Sequence, residues 1–131
     1  MTMEMLPSEY ASGVCNIGPA EIARRRRFGH VGVIASVALL AVLILLHAPA
    51  WTRLSLVLTA GAAATGYLQA WLRFCAGFGS QGVYNFGPLG GVVPVATAAD
   101  RARDRRKSLR IGLGSLAIGI VVAVIAVLLP L

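Results

Sequence analysis

Three long apolar stretches without charged residues alternate with polar or glycine-rich segments along the chain, at residues 28–46, 54–72 and 111–131. About 20 apolar residues in a helix span the hydrocarbon core of a bilayer. The pattern therefore predicts an all-α integral membrane protein. We expect three transmembrane helices in a single membrane domain over residues 1–131.

Composition favours a membrane protein over a soluble one. Hydrophobic residues make up 57% of the 131 residues and charged residues 13%, against about 45–50% and 25% in soluble domains. The soluble alternative is a buried helical hairpin. The remaining residues are too few to cover three such helices.

The basic residues predict the orientation. All twelve except Arg53 lie on one side of the predicted spans, and cytoplasmic loops carry the excess of Lys and Arg. We expect a multi-pass protein of the bacterial inner membrane with a cytoplasmic N-terminus and the C-terminus outside. The net charge of +7 is read as a topology signal and not as nucleic-acid binding. The residues expected to set topology and contact anionic lipid headgroups are Arg24, Arg25, Arg26, Arg27, Arg105, Arg106 and Lys107.

The polar segments next to the spans predict helix starts. Residues 1–18 form an N-terminal cytoplasmic segment, and Pro19 begins a helix that runs through the arginines into the first span. Thr97 and Asp100 match a capping box. This cap begins a basic juxtamembrane helix at residues 100–110, which leads into the third span. Within the juxtamembrane helix we expect Asp104 to pair with Lys107 or Ser108.

A glycine-rich, apolar cytoplasmic loop is predicted at residues 73–99. Within it, six glycines and two prolines argue against a helix or a strand at residues 74–96. Its aromatic residues favour burial, so we expect Phe78, Tyr84 and Phe86 to contact a partner protein or the helix ends.

Small residues four apart predict where helices pack closely, because lipid provides no hydrophobic drive for helix association. The second span carries most of them, which makes it the expected central helix. These residues are Gly61, Ala62, Thr65, Gly66, Ser115 and Gly119.

Two histidines are candidate cofactor ligands. His30 and His47 are 17 residues apart, about 25 Å along a helix, so they cannot hold one haem or metal together. Each alone could bind a haem or pigment in a larger assembly. The alternative is a hydrogen-bonded histidine at the membrane interface.

Two cysteines form a candidate thiol pair, because Cys15 and Cys75 are both predicted on the cytoplasmic side. They could support disulfide exchange or carry sulfur. The alternative is that each packs as a small apolar residue. The sequence shows no paired carboxylates, phosphate loop or zinc-ligand spacing, so we expect no enzyme, no metal and no bound cofactor.

Residues 15–91 resemble a family of small bacterial multi-span membrane proteins, and distantly the membrane domain attached to some rhodaneses. The matching residues are "NIG" at 16–18, "ARRRRFG" at 23–29, and Cys75. The rhodanese-associated domain often has proline after the cysteine, whereas this chain has Ala76. The third span lies outside the resemblance.

Three functions are left open. The first is a non-enzymatic accessory or structural subunit that docks on other integral membrane subunits of a larger bacterial inner-membrane complex, for which energy-transducing complexes, respiratory or photosynthetic, are candidate hosts. The second is thiol-dependent redox or sulfur handling by Cys15 and Cys75. The third is haem or pigment binding through His30 or His47.

Overall fold

The computed structural model describes residues 10–131, and these are mostly helical. Residues 1–9 of the predicted N-terminal segment lie outside the described residues. The elements in chain order are α1 (Pro19–Leu45), a 3-10 helix (Ala50–Ser55), α2 (Leu56–Leu72), α3 (Ala76–Gln81), β1 (Val83–Tyr84), β2 (Val93–Pro94) and α4 (Ala98–Leu128).

Within residues 10–131, two helices are long and apolar enough to cross a membrane. They are α1, with 27 residues, and α4, with 31 residues. The predicted second span at residues 54–72 begins within the 3-10 helix, so its α-helical part has 17 residues. Most side chains of α1 and α4 are exposed, as expected for helix surfaces that face lipid.

Helix α2 packs between α1 and α4, and glycines allow the backbones to approach closely. A Cβ atom added to Gly66 would lie 2.5 Å from the amide nitrogen of Gly29. On the other side of α2, a Cβ atom on Gly119 would lie 2.7 Å from the carbonyl oxygen of Val57. Small residues thus hold this chain's own helices together.

The remaining small residues lie at or near the same contacts. Ser115 is buried, and its backbone carbonyl oxygen would lie 3.7 Å from a Cβ atom added to Gly61. The hydroxyl of Thr65 donates to the carbonyl oxygen of Gly61 at 2.8 Å, and Ala62 is half-buried. Gly61, Gly66, Ser115 and Gly119 therefore lie at contacts between helices of this chain.

Arg53 joins the link between α1 and α2 to the end of α4. It is 5% exposed, and its guanidinium donates to the carbonyl oxygens of Ala126, Leu129 and Leu131 at 2.9, 3.1 and 3.0 Å. Those carbonyls have few helical partners because they are at a helix end. Arg53 is therefore a C-terminal cap for α4, a role that was not predicted from the sequence.

The prediction that residues 74–96 contain neither helix nor strand was wrong. The sulfur of Cys75 accepts from the amide of Phe78 at 3.4 Å at the start of α3, and Gly82 ends α3 with φ +74. Strands β1 and β2 then pair antiparallel, Val83 with Pro94 and Tyr84 with Val93. The glycines shape tight turns that close a small folded unit.

We call residues 10–18 and 74–97 the loop module. It lies at the cationic end of the bundle, against the first turns of α1 and α4, and opposite the end that Arg53 caps. Helix α4 begins with the predicted cap, in which Thr97 Oγ1 accepts from the amide of Asp100 at 3.2 Å.

The predicted pairing of Asp104 with Lys107 or Ser108 was wrong. Asp104 is fully buried and accepts from the Tyr10 hydroxyl at 2.6 Å and from the Gly13 amide at 2.7 Å. The carboxylate therefore ties the N-terminal part of the loop module to α4.

Candidate functional site

A buried polar network lies where the loop module meets the helices. Its residues are Asn16, Glu21, Arg25, Gln69, Cys75 and Asn85. Asn16, Glu21 and Asn85 are each at most 1% exposed. Buried polar groups are costly unless they are hydrogen-bonded, so this network identifies the most constrained part of the molecule.

The network is built on a short repeat, Asn-x-Gly-Pro, which occurs at residues 16–19 and 85–88. The two copies lie side by side. The backbone amide of Asn85 donates to the backbone carbonyl of Asn16, and the backbone amide of Gly18 donates to the backbone carbonyl of Asn85, each at 2.9 Å. A Cβ atom on Gly18 would lie 2.7 Å from the Phe86 carbonyl oxygen, so this crossing requires glycine. The repeat is visible in the sequence, although it was not among the predicted motifs.

Glu21 is the acidic centre of the network. It lies in the first turn of α1 and forms an ion pair with Arg25 one turn later. Its second oxygen accepts from Asn85 Nδ2 at 2.9 Å. Because Glu21 and Arg25 are largely removed from water, each depends on the other for compensation of its charge.

Asn16 and Gln69 hold the chain around Cys75. Asn16 accepts from the Cys75 amide at 2.7 Å and donates to the Cys75 carbonyl at 3.1 Å. Gln69 Oε1 accepts from the Ala76 amide at 2.8 Å. These side chains replace backbone partners where α2 has ended and α3 has not yet begun.

Arg25 also contacts Cys75. Its Nη2 atom lies 2.8 Å from the Cys75 sulfur, and its guanidinium carbon lies 5.2 Å from the centre of the Phe78 ring. Cys75 is itself 5% exposed.

A cavity of about 630 Å³ opens beside this network, between α1, the end of α2 and α3; we call it the arginine cavity. It combines cationic, apolar and sulfur-bearing side chains. Its lining is Arg24, Arg25, Arg27, Phe28, Val31, Thr65, Gln69, Cys75, Gly77, Phe78 and Gln81. No acidic side chain of the described residues belongs to that lining.

A second cationic surface lies where the loop module meets α4. Burial, together with the hydrogen bond to Asp104, raises the pKa of Tyr10. Hydrogen bonds with Thr97 and Ser12, together with the nearby Arg103, lower the pKa of Asp100. A smaller cavity of about 280 Å³ there is lined by Ser12, Gly13, Arg103, Arg106, Lys107 and Arg110.

The two histidines are not brought together. Nδ1 of His30 lies 2.6 Å from the Tyr67 hydroxyl, and the two rings meet edge to face. His47 is exposed at the end of α1 with φ +56. Within residues 10–131 no group of three His, Cys, Asp or Glu side chains could hold a metal ion.

The segments that carry the two cysteines meet, since Asn16 pairs with the Cys75 backbone. Their sulfurs have different neighbours. Cys15 lies 3.6 Å from the Ile17 carbonyl oxygen, whereas Cys75 contacts Arg25. Neither cysteine is in a disulfide.

The aromatic residues of the predicted partner loop make contacts within the chain. Phe78 lies under Arg25, and Tyr84 stacks on Tyr10 at 4.6 Å between ring centres with Phe86 beside it. The apolar residues of this region that remain about half exposed are Leu89, Val92 and Val93.

No protein-family model, curated protein or solved structure matches this chain. The resemblance of residues 15–91 to small bacterial membrane proteins therefore stays a prediction.

Proposed function

We propose that this protein is a non-enzymatic accessory subunit of a larger complex in the bacterial inner membrane. It crosses the bilayer three times, through α1, α2 and α4. Helix α2 is the middle span and packs between the other two. The loop module and the N-terminus are cytoplasmic, and the C-terminus lies outside. Docking on other integral membrane subunits uses the exposed turn of the loop module.

The membrane placement is supported by the distribution of charge over the bundle. Arg24, Arg25, Arg26 and Arg27 and the basic turns of α4 share one end, and basic residues favour the cytoplasmic side. At the other end, the guanidinium of Arg53 is covered by carbonyl groups. The 3-10 helix supplements α2, because residues 50–72 together have the length of a span.

The observation that carries the docking proposal is a turn at residues 88–93 that is hydrogen-bonded at its base and has exposed apolar side chains. Asn85 holds its base, donating to the Pro88 carbonyl at 2.8 Å and accepting from the Gly87 amide at 2.9 Å. Leu89, Val92 and Val93 are 50%, 48% and 43% exposed. A preformed apolar surface is typical of a protein contact, because little chain entropy is lost when it binds.

A photo-crosslinking amino acid at Val92, used in native membranes, tests this function. We expect one discrete protein adduct, and its loss when Leu89 and Val93 are replaced by Ser. The matched control is the same crosslinker at Val121, which is 56% exposed in the apolar part of α4 and should give lipid adducts. Lipid adducts alone at Val92 would refute protein docking at the turn.

The contact between Arg25 and Cys75 favours thiol-dependent chemistry as a second candidate function. Cys75 lines the arginine cavity but is only 5% exposed, so a reagent reaches its sulfur when the loop module opens. Replacing Cys75 by Ser should abolish the cellular function on this proposal, and replacing Cys15 by Ser tests whether both thiols are needed. A Cys75→Ser strain with normal function and normal complex assembly would refute it.

A further inference from the structure

We propose that the arginine cavity is a specific binding site for one anionic phospholipid, whose phosphate lies at Arg24 and Arg27 and whose acyl chain follows Phe28 and Val31. This inference rests on the membrane placement proposed above, but it does not depend on a protein partner.

The charges in the cavity favour a phosphate group. Arg25 is already paired with Glu21, so its charge is largely compensated. Arg24 and Arg27 are exposed, and the structure shows no ion pair for either of them among the described residues. An anionic headgroup would therefore meet two uncompensated guanidinium groups, and guanidinium geometry suits phosphate oxygens.

The apolar lining favours an amphiphile over a free anion. Residues 24, 27, 28 and 31 have the spacing of one helix face, and the seven steps from Arg24 to Val31 cover about 10 Å along the axis. Phe28 and Val31 are 52% and 63% exposed. They lead from the cavity to the lipid-facing surface of α1, so a lipid can enter sideways and keep its chain in hydrocarbon. Phe78 closes the cavity from α3.

Two changes remove different parts of this site. Arg24→Gln with Arg27→Gln removes the two exposed charges without touching the Glu21–Arg25 pair. Gly77→Phe places a ring in the cavity that Gly77 lines, and it keeps every charge. The backbone accepts a side chain at this position, because a Cβ atom on Gly77 meets only the Cys75 sulfur, at 3.7 Å. The matched control is Arg105→Gln with Arg106→Gln, which removes the same charge from exposed positions on α4.

The experiment is native mass spectrometry of the purified protein in detergent, titrated with phosphatidylglycerol and, separately, with phosphatidylcholine. We expect one phosphatidylglycerol bound to the unaltered protein in preference to phosphatidylcholine. At about 1 kcal/mol for each basic residue near an anionic lipid, the Arg24/Arg27 variant should bind about thirtyfold more weakly. Gly77→Phe should also lose the lipid, and the α4 control should keep it.

Several results would overturn the proposal. One is equal weakening by the α4 control, which would show unspecific attraction to the basic end. Another is undiminished binding to Gly77→Phe, which would place the lipid outside the cavity. Displacement of the lipid by millimolar inorganic phosphate would identify a free anion as the ligand. Absence of retained phosphatidylglycerol on the unaltered protein would remove the site. All four are independent of partner docking, because the purified chain is measured alone.

Discussion

Replacing Glu21 by Gln should open the loop module. The substitution keeps the size of the side chain but leaves the part-buried guanidinium of Arg25 without its counter-charge. It also weakens the acceptor for Asn85 Nδ2. Breaking a buried ion pair by removing one partner costs about 3–5 kcal/mol. Glu21 binds Asn85 of the loop module directly, and its partner Arg25 contacts Cys75 of the loop module. We therefore expect this cost to appear as local opening of the loop module.

The alkylation rate of Cys75 measures that opening, in a Cys15→Ser background that leaves one thiol. Cys75 is 5% exposed, so its reaction requires the loop module to move. A cost of about 3 kcal/mol corresponds to an increase of about 150-fold in the open fraction, and the rate should rise in proportion while opening remains rare.

Asp100→Asn is the matched control, since it also converts a carboxylate to an amide. The Asp100 ion pair with Arg103 is 3.8 Å long and exposed, so we expect a change of about twofold or less. If Glu21→Gln raised the rate no more than Asp100→Asn did, with helix content unchanged, the buried pair would not hold the loop module closed.

Three further predictions concern other contacts. Gly66→Ala places a Cβ atom against the α1 backbone and should destabilise the bundle by about 1–3 kcal/mol in thermal unfolding followed by circular dichroism, whereas Gly112→Ala, which meets nothing within 4 Å, should not. Arg53→Met should speed hydrogen exchange at the Leu129 amide, because the last turn of α4 loses its cap; unchanged exchange would contradict that role. In the folded protein the pKa of Tyr10 lies above its unfolded value of about 10. The stabilising effect of Tyr10 is therefore complete below that pH and is lost as pH rises through the folded pKa. Tyr10→Phe should remove the most alkaline step of the tyrosinate absorbance titration.

Local rules account for the parts of the fold that were predicted. Apolar length is sufficient to recognise α1 and α4 as helices able to span a membrane, because lipid contact needs no particular partner. Proline at the start of α1 and the Thr97–Asp100 cap also act within one turn. Small residues four apart mark close packing on α2, although spacing alone does not say whether the neighbour is this chain or another.

The loop module depended on contacts between residues far apart in sequence. Asn16 and Cys75 are 59 positions apart, Glu21 and Asn85 are 64 apart, and Tyr10 and Asp104 are 94 apart. No local pattern reports such a partner. The Asn-x-Gly-Pro repeat shows that two segments are alike, but not that they lie side by side.

The sequence by itself determined that this chain is helical, that α1 and α4 have the length and apolarity of membrane spans, and that its cations are concentrated at two sites. It did so because hydropathy and helix capping are properties of consecutive residues. Only the tertiary structure decided that Arg25 is paired while Arg24 and Arg27 are exposed, and that Arg53 caps α4. The same type of side chain is a buried ion-pair partner, an exposed charge or a helix cap according to the carboxylates and carbonyls around it, and folding alone brings those groups together.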